Sequence, residues 1–175
     1  MNMFDLLKML DEAMVEFVLV GGLAVALHGY QRVTMDVDVV VAMDDENLQR
    51  FMSAAKAAGL RPTIPVPLES LAQPKLIEQW YREMGQAGKP HSGCSQKGML
   101  AFSLRGNETM ATVLDVLVRP KVSFSELRRD ATLVKVGPID IPVASIAHLI
   151  AMKTGTGRGK DAVDIEELRK LQAQQ

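Results

Sequence analysis

Two aspartates interrupt a run of valines in the segment DVDVVVA, residues 36–42. Because side chains two residues apart on a β-strand point to the same face, Asp36 and Asp38 are expected to lie side by side, with valines on the other face. Like charges at that distance repel, and burial makes either ion costly. Mg²⁺ prefers carboxylate oxygens, so the pair indicates a hard-cation site. A pair of solvated aspartates on an edge strand is the alternative.

A third aspartate, Asp115, lies in the middle of a second apolar segment, TVLDVLV, residues 112–118. An isolated carboxylate there is expensive unless it is paired, protonated or bound to metal. If this strand lies beside DVDVVV, three carboxylates meet on one face of a sheet. Such a triad can hold two magnesium ions, which in two-metal sites clamp the attacking and leaving oxygens of an in-line displacement. A solvent-facing aspartate on a half-exposed strand is the alternative.

A pair of glycines, Gly21 and Gly22, ends the short apolar strand FVLV and opens the segment LAVALHGY, which is typical of a helix. Backbone N–H groups at the start of a helix attract anions, and glycine lets a phosphate approach the main chain closely. The sequence therefore indicates a phosphate-binding turn. A tight turn without a ligand is the alternative, and the dinucleotide fingerprint G-x-G-x-x-G is absent here.

The order of predicted elements defines the fold class. Hydrophobic periodicity predicts a helix over 3–15, strands over 17–20 and 36–42, and a helix that begins after Asp44 or Asp45 and ends near Gly59. Further predicted elements are an edge strand or loop over 61–67, strands over 99–104 and 112–118, a short helix from Ser123, a hairpin at Gly137–Pro138, and two C-terminal helices separated by GTGRG. This order predicts an α/β (α+β) fold with a mixed sheet flanked by helices. We expect a core over 1–142 and a helical segment over 143–175 packed on it.

Composition excludes several classes of protein. The 175 residues suit one domain, and a net charge of −1 gives no global basic field for nucleic acid. The chain lacks a stretch of roughly 18 apolar residues and the features of a signal peptide, so we expect a cytoplasmic protein without a membrane partner. The single cysteine suits a reducing compartment.

The segment GGLAVALHGYQRVTMDVDVVV resembles the nucleotidyltransferase fold of the DNA polymerase β superfamily, whose signature is a G-[GS] turn, a spacer, D-x-D and a later strand aspartate. The pattern GG-x-A-x-x-x-H-G-x-x-R-x-T-x-D-x-D is similar to that of the AbiEii-like toxins and related small bacterial nucleotidyltransferases. The C-terminal segment MKTGTGRGKDAVDIEEL looks like the closing motif of that branch, K-x-x-x-x-R-x-K-D-x-x-D.

The resemblance implies roles for particular residues. Asp36, Asp38 and Asp115 would be catalytic and would bind Mg²⁺ or Mn²⁺. The residues implied in nucleotide binding are Gly21, Gly22, Arg32, Thr34, Lys153, Arg158 and Lys160. Many members of the superfamily have Ser where this chain has Gly22, so here backbone N–H groups would replace that hydroxyl. For Arg32 a surface ion pair is an equal alternative, and Asp161 is a candidate helix cap.

The implied activity is the metal-dependent transfer of a nucleoside monophosphate from a nucleoside triphosphate to an acceptor hydroxyl on tRNA, a protein or a small molecule. Two alternatives stay open: a toxin–antitoxin component that acts with an antitoxin-type protein partner, and a non-catalytic nucleotide-binding module. Residues 60–110 match no pattern that we can place. His91 and Cys94, in a loop-like segment there, are too few for a metal site.

Overall fold

Seven β-strands form one mixed sheet in the part of the chain that the computed structural model describes, which is residues 1–73, 75, 76, 79, 82, 100–108 and 112–174. Apart from the two-residue edge strand β3, the strands coincide with apolar segments of the sequence. They are β1 (Phe17–Val20), β2 (Asp36–Val41), β3 (Arg61–Pro62), β4 (Ala101–Arg105), β5 (Val113–Leu117), β6 (Thr132–Val136) and β7 (Ile139–Val143).

The strand order is β3-β4-β5-β2-β1-β7-β6. The central strand β2 pairs antiparallel with β1 and parallel with β5, and β1 pairs parallel with β7. The hairpin partners β6 and β7 and the pairs β3–β4 and β4–β5 are antiparallel. Pro62 lies in the edge strand β3, where a missing N–H donor is tolerated.

Six α-helices accompany the sheet within the described residues, together with a 3₁₀ helix at Leu68–Ala72. The helices are α1 (Met3–Glu12), α2 (Gly21–Leu27), α3 (Asp45–Ala57), α4 (Phe124–Arg129), α5 (Ile146–Lys153) and α6 (Gly159–Gln172). The Asp44 side chain accepts from the Asn47 N–H, and Ser123 forms a capping box with Glu126, so both predicted helix starts are confirmed.

The core contains apolar side chains from the sheet and from both ends of the chain. Val37 and Val39 of β2 are fully buried, and so is Leu149 of α5. Helices α5 and α6 contact each other, and α5 also contacts α2. Because these helices follow directly on β7 and share its core, the division into 1–142 and 143–175 stays a prediction.

The mixed α/β sheet is confirmed, with shifted helix ends. The first helix ends at Glu12 instead of residue 15, and α2 begins at Gly21, inside the predicted turn. His91 and Cys94 lie outside the described residues. The sequence also predicts a helix over 68–85 that Pro74 interrupts, and only part of that segment, including the 3₁₀ helix, lies within the described residues. No described helix has the length and apolar character that a bilayer span requires.

Candidate active site

The three predicted aspartates lie on neighbouring strands. In the parallel pair β2–β5, Asp38 lies opposite Asp115, and Asp36 lies two residues before Asp38 on the same face of β2. Laterally paired residues of adjacent strands share a face, so all three carboxylates project from one side of the sheet. Asp36 is exposed, whereas Asp38 and Asp115 are half-buried. The other face carries fully buried Leu114 and Val116.

The Gly21–Gly22 turn lies directly beside Asp38. Val20, the last residue of β1, pairs with Asp38, which brings the following glycines against this carboxylate. Gly21 has a φ of +68°, and a Cβ placed there would lie 2.0 Å from Asp38 Oδ2. The Gly22 N–H donates a hydrogen bond to the Asp38 carboxylate. Only glycine therefore satisfies both the backbone angle and the space at position 21.

Position 22 is also crowded, by side chains of the segment before β2. A Cβ on Gly22 would lie 2.9 Å from Thr34 Oγ1 and 3.1 Å from Arg32 Cζ, so both side chains pack directly on the turn. Thr34 Oγ1 also lies 3.5 Å from the Asp36 carbonyl oxygen. The Cβ of a serine at this position would therefore force Thr34 or Arg32 to shift. The segment before β2 thus encloses the glycine turn.

The negative charge of each carboxylate makes ionisation of its neighbours less favourable. Burial, together with the charges of Asp115 and Asp36, raises the pKa of Asp38 to about 6, although the Gly22 N–H and the Lys153 charge act in the opposite direction. Burial also raises the pKa of Asp115, and the Asp36 charge adds to this increase. The Ser103 hydroxyl, which donates a hydrogen bond to Asp115 Oδ1 at 2.5 Å, opposes it, as does the Arg158 charge. A cation on this face would relieve that repulsion.

The fit to a metal ion rests on the chemistry of these donors. Among the residues that the structure describes, no group of three or more His, Cys, Asp or Glu side chains is placed around a common metal position. The donors are carboxylate oxygens, which suit magnesium or manganese, and their mutual repulsion is the kind that a divalent cation offsets. The donor set therefore fits such a cation in type and charge.

Lys153 and Arg32 belong to a buried ion-pair network. Lys153 Nζ lies 3.1 Å from Asp161 Oδ1 and 2.7 Å from Asp164 Oδ2, and Arg32 Nη1 contacts the same Asp164 oxygen. The Thr156 hydroxyl donates to Asp161 Oδ2 at 2.6 Å. Burial raises the pKa of Asp161, but the Thr156 hydrogen bond and the Lys153 charge outweigh it, so that the net pKa is lowered. Two cations and two anions balance within this network.

Arg158 and Lys160 lie exposed at the start of α6. The N-cap residue of this helix is Arg158, so Asp161 is not the cap that the sequence allowed. The Arg158 charge lowers the pKa of Asp115, so its guanidinium lies within electrostatic range of that acid. The structure thus separates the predicted cations into a pair within the ion-pair network, Arg32 and Lys153, and an exposed pair at the start of α6.

Ser103 was not identified from the sequence. It faces Asp115 across the β4–β5 pair, in a strand whose sequence, AFSLR, contains no other signal. Its hydroxyl meets Asp115 only because of the register between β4 and β5, which the sequence does not reveal. Asp164 belongs to the C-terminal motif, but its contact with Arg32 joins residues that are 132 positions apart, which a local pattern does not reveal.

Comparison with solved structures supports the fold. The lincosamide antibiotic adenylyltransferase LnuA, solved with lincomycin bound, superposes with a TM-score of 0.58 at 17% identity and covers 96% of this chain and 94% of its own. A Thermotoga maritima protein provisionally assigned as a nucleotidyltransferase gives 0.51 at 15% identity, over 100% and 97%. The chain therefore has the nucleotidyltransferase fold. No protein-family model matches the sequence, and no curated protein matches it either.

Proposed function

We propose that this protein is a metal-dependent nucleotidyltransferase that transfers a nucleoside monophosphate from a nucleoside triphosphate to an acceptor hydroxyl. The observation that carries the proposal is the register of β2 and β5, which sets Asp38 beside Asp115 next to the Gly21–Gly22 turn. The fold alone does not establish an activity, because one fold supports many functions. Phosphoryl transfer depends on positioning the phosphates and neutralising their charge. Acids that can hold a cation, beside a turn that can accept an anion, are suited to both tasks.

Each of the three acids would have a role in the transfer. Asp36, Asp38 and Asp115 would hold Mg²⁺ or Mn²⁺, which when bound would neutralise the phosphate charges. Asp115 would accept the proton of the acceptor hydroxyl, and its raised pKa makes it a stronger base than an ordinary carboxylate. The acceptor oxygen would then bond to the α-phosphorus as the bond between the α and β phosphates breaks, and pyrophosphate would leave.

The remaining predicted residues would orient the nucleotide. Arg158 and Lys160 are exposed cations at the start of α6, and the Arg158 charge reaches Asp115, so this pair is suited to the β- and γ-phosphates. Arg32 and Thr34, which pack on the Gly21–Gly22 turn, would line the phosphate site there. Lys153 would act at longer range, because its ammonium group is held by Asp161 and Asp164.

A transfer assay tests the proposal. Each α-labelled nucleoside triphosphate is incubated with Mg²⁺ and bulk tRNA, cell protein or lincomycin as the acceptor. We expect label to be transferred, and we expect Asp36→Asn, Asp38→Asn and Asp115→Asn to reduce transfer at least about a hundredfold while the proteins stay folded. Asp140→Asn, an exposed carboxylate on β7, is the matched control and should transfer normally. Undiminished transfer by Asp115→Asn would contradict the proposal.

The choice of acceptors comes from two sources. Lincomycin is included because the lincosamide adenylyltransferase with this fold was solved with it bound. Bulk tRNA and protein are included because of the resemblance to the AbiEii-like branch, which also implies a toxin–antitoxin role with a protein partner. Co-purification of a second chain with the tagged protein would support that role.

The alternative of a non-catalytic nucleotide-binding module has a distinct thermodynamic signature. Calorimetry of a nucleoside triphosphate with and without Mg²⁺ separates the two, because the transferase should bind the metal–nucleotide complex more tightly. Binding that does not depend on metal, without transfer to any acceptor, would favour the module. The presence of all three acids and the hydrogen bond from Ser103 to Asp115 support the enzyme.

A further inference from the structure

The segment that joins α2 to β2 alternates in exposure. Arg32 and Thr34 are half-buried and face the glycine turn, whereas Val33 and Met35 between and beyond them are 88% and 61% exposed. This segment has no regular secondary structure, so side-chain contacts determine its position. Its inward side chains contribute two of the groups that enclose Gly22.

Of these two inward side chains, Arg32 makes the stronger contact with the rest of the protein, an ion pair. It pairs with Asp164 of α6, whose side chain is only 3% exposed, and Arg32 itself is 17% exposed. The same Asp164 oxygen accepts from Lys153 at 2.7 Å, which fixes the carboxylate from the α5 side. A carboxylate held by two cations has little freedom to follow the arginine, so it acts as a fixed anchor.

We infer that Asp164 is a positioning residue that holds residues 30–35 over the Gly21–Gly22 turn through its ion pair with Arg32. This inference deepens the proposed function, since it rests on that turn being the phosphate-binding corner of the site. Asp164 acts on residues 30–35 through Arg32, and it also holds Lys153. Asp161 accepts hydrogen bonds from Lys153 and Thr156 instead.

Cleavage by trypsin tests the positioning without any assumption about activity. The protease can cut the Arg32–Val33 bond only when the guanidinium leaves Asp164, so the rate follows the population of the open segment. We expect Asp164→Asn to raise this rate about tenfold or more in the full chain, because a charge-assisted pair is lost. Mass spectrometry identifies the bond, and cleavage at Arg50–Phe51, in the middle of α3 where Phe51 is fully buried, reports unfolding of the rest of the protein.

Asp161→Asn is the matched control, since it also removes one acid from the network but spares the Arg32 pair. Its cleavage rate at Arg32–Val33 should stay within about twofold of the parent. An equal rise in both variants, or no rise in Asp164→Asn, would overturn the inference. If Asp164→Asn does not fold, Asp164→Glu keeps the negative charge and displaces it. Cleavage at Arg32–Val33 should then rise more than at Arg50–Phe51, and an equal rise at both bonds contradicts the inference.

A kinetic measurement tests whether the position of residues 30–35 affects the proposed transfer reaction. In the transfer assay Asp164→Asn should raise the KM for the nucleoside triphosphate by a larger factor than it lowers kcat, because Arg32 and Thr34 would shape the phosphate corner and not the attacking group. A loss confined to kcat would overturn this connection. If even the parent transfers no nucleotide, the proposed function fails while the trypsin result still decides the position of the segment.

Discussion

Gly21 lies against Asp38, so a larger residue at this position would clash with that carboxylate as well as strain the backbone. Gly21 and Gly59 have nearly the same φ, +68° and +71°, but a Cβ at Gly59 would have no neighbour within 4 Å. Both residues need glycine for conformation, and only Gly21 needs it for space. The chain thus offers an internal comparison for the packing of the glycine turn.

We expect Gly21→Ala to destabilise the protein clearly more than Gly59→Ala. The left-handed angle alone costs about 1–2 kcal/mol, and the contact with Asp38 adds about 1–3 kcal/mol. Urea unfolding of both variants at neutral pH measures the difference in the free energy of unfolding. Equal losses would show that Asp38 moves away without cost, and the turn would then not be fixed against the acids.

Asp38 makes the stability of the metal-free protein depend on pH. Its pKa is about 6 in the folded protein against 3.8 as the ordinary value. A raised folded-state pKa means that protonated Asp38 contributes stability below about pH 4, and that this contribution is lost as the pH rises through 6.

Asp38→Asn should therefore stabilise the protein relative to the parent at pH 7.5 in EDTA, by about 1–3 kcal/mol, and the advantage should vanish near pH 4. Thermal unfolding at the two pH values measures it. Asp140→Asn on β7 is the control for removal of an exposed carboxylate and should show no such change between the two pH values. A constant difference between Asp38→Asn and the parent at both pH values would contradict the electrostatic explanation.

At the scale of elements, the site depends on strand register. β4 and β5 pair so that Ser103 meets Asp115, and β5 and β2 pair so that Asp115 meets Asp38. A slip of one residue in either pair would turn a polar group to the opposite face. The fully buried side chains of Leu114 and Val116 oppose such a slip.

Ser103→Ala should change the pH dependence of the proposed transfer. The hydroxyl opposes the rise in the pKa of Asp115, so its removal raises that pKa further. If ionised Asp115 is the base, the acid limb of kcat/KM then moves to higher pH, and the loss of activity is greater at pH 6 than at pH 8.5. Profiles of the parent, Ser103→Ala and Ser103→Thr measure this effect. Ser103→Thr keeps a hydroxyl donor and should resemble the parent, and an unmoved limb in Ser103→Ala would assign the base elsewhere.

At the scale of the whole molecule, the sequence was informative where the pattern was local. The alternation of Asp36 and Asp38 with valine predicted one face, and the position of Asp115 in an apolar run predicted a shared site if the strands were neighbours. The structure makes them neighbours. Whether these acids act as catalytic and metal-binding residues stays a prediction, because the comparisons show the fold alone.

Contacts between residues far apart in the chain could not be predicted from the sequence. Arg32 was expected either at the nucleotide or in a surface pair, and it lies in a mostly buried pair with Asp164. Lys153 was expected to contact nucleotide and is held by two acids. Such partners follow from how α5 and α6 pack on the fold, which hydrophobic periodicity does not specify. For the same reason Ser103 carried no signal of its own.

The crowding around Gly22 restricts the order in which this protein can change through mutation. Introducing serine there places a new carbon 2.9 Å from Thr34 Oγ1 and 3.1 Å from a guanidinium that Asp164 anchors. Either the Thr34 hydroxyl or the Arg32 guanidinium must therefore shift before serine fits. A Gly22→Ser exchange alone carries that penalty, and an earlier exchange that shortens residue 34 or releases residue 32 would remove it.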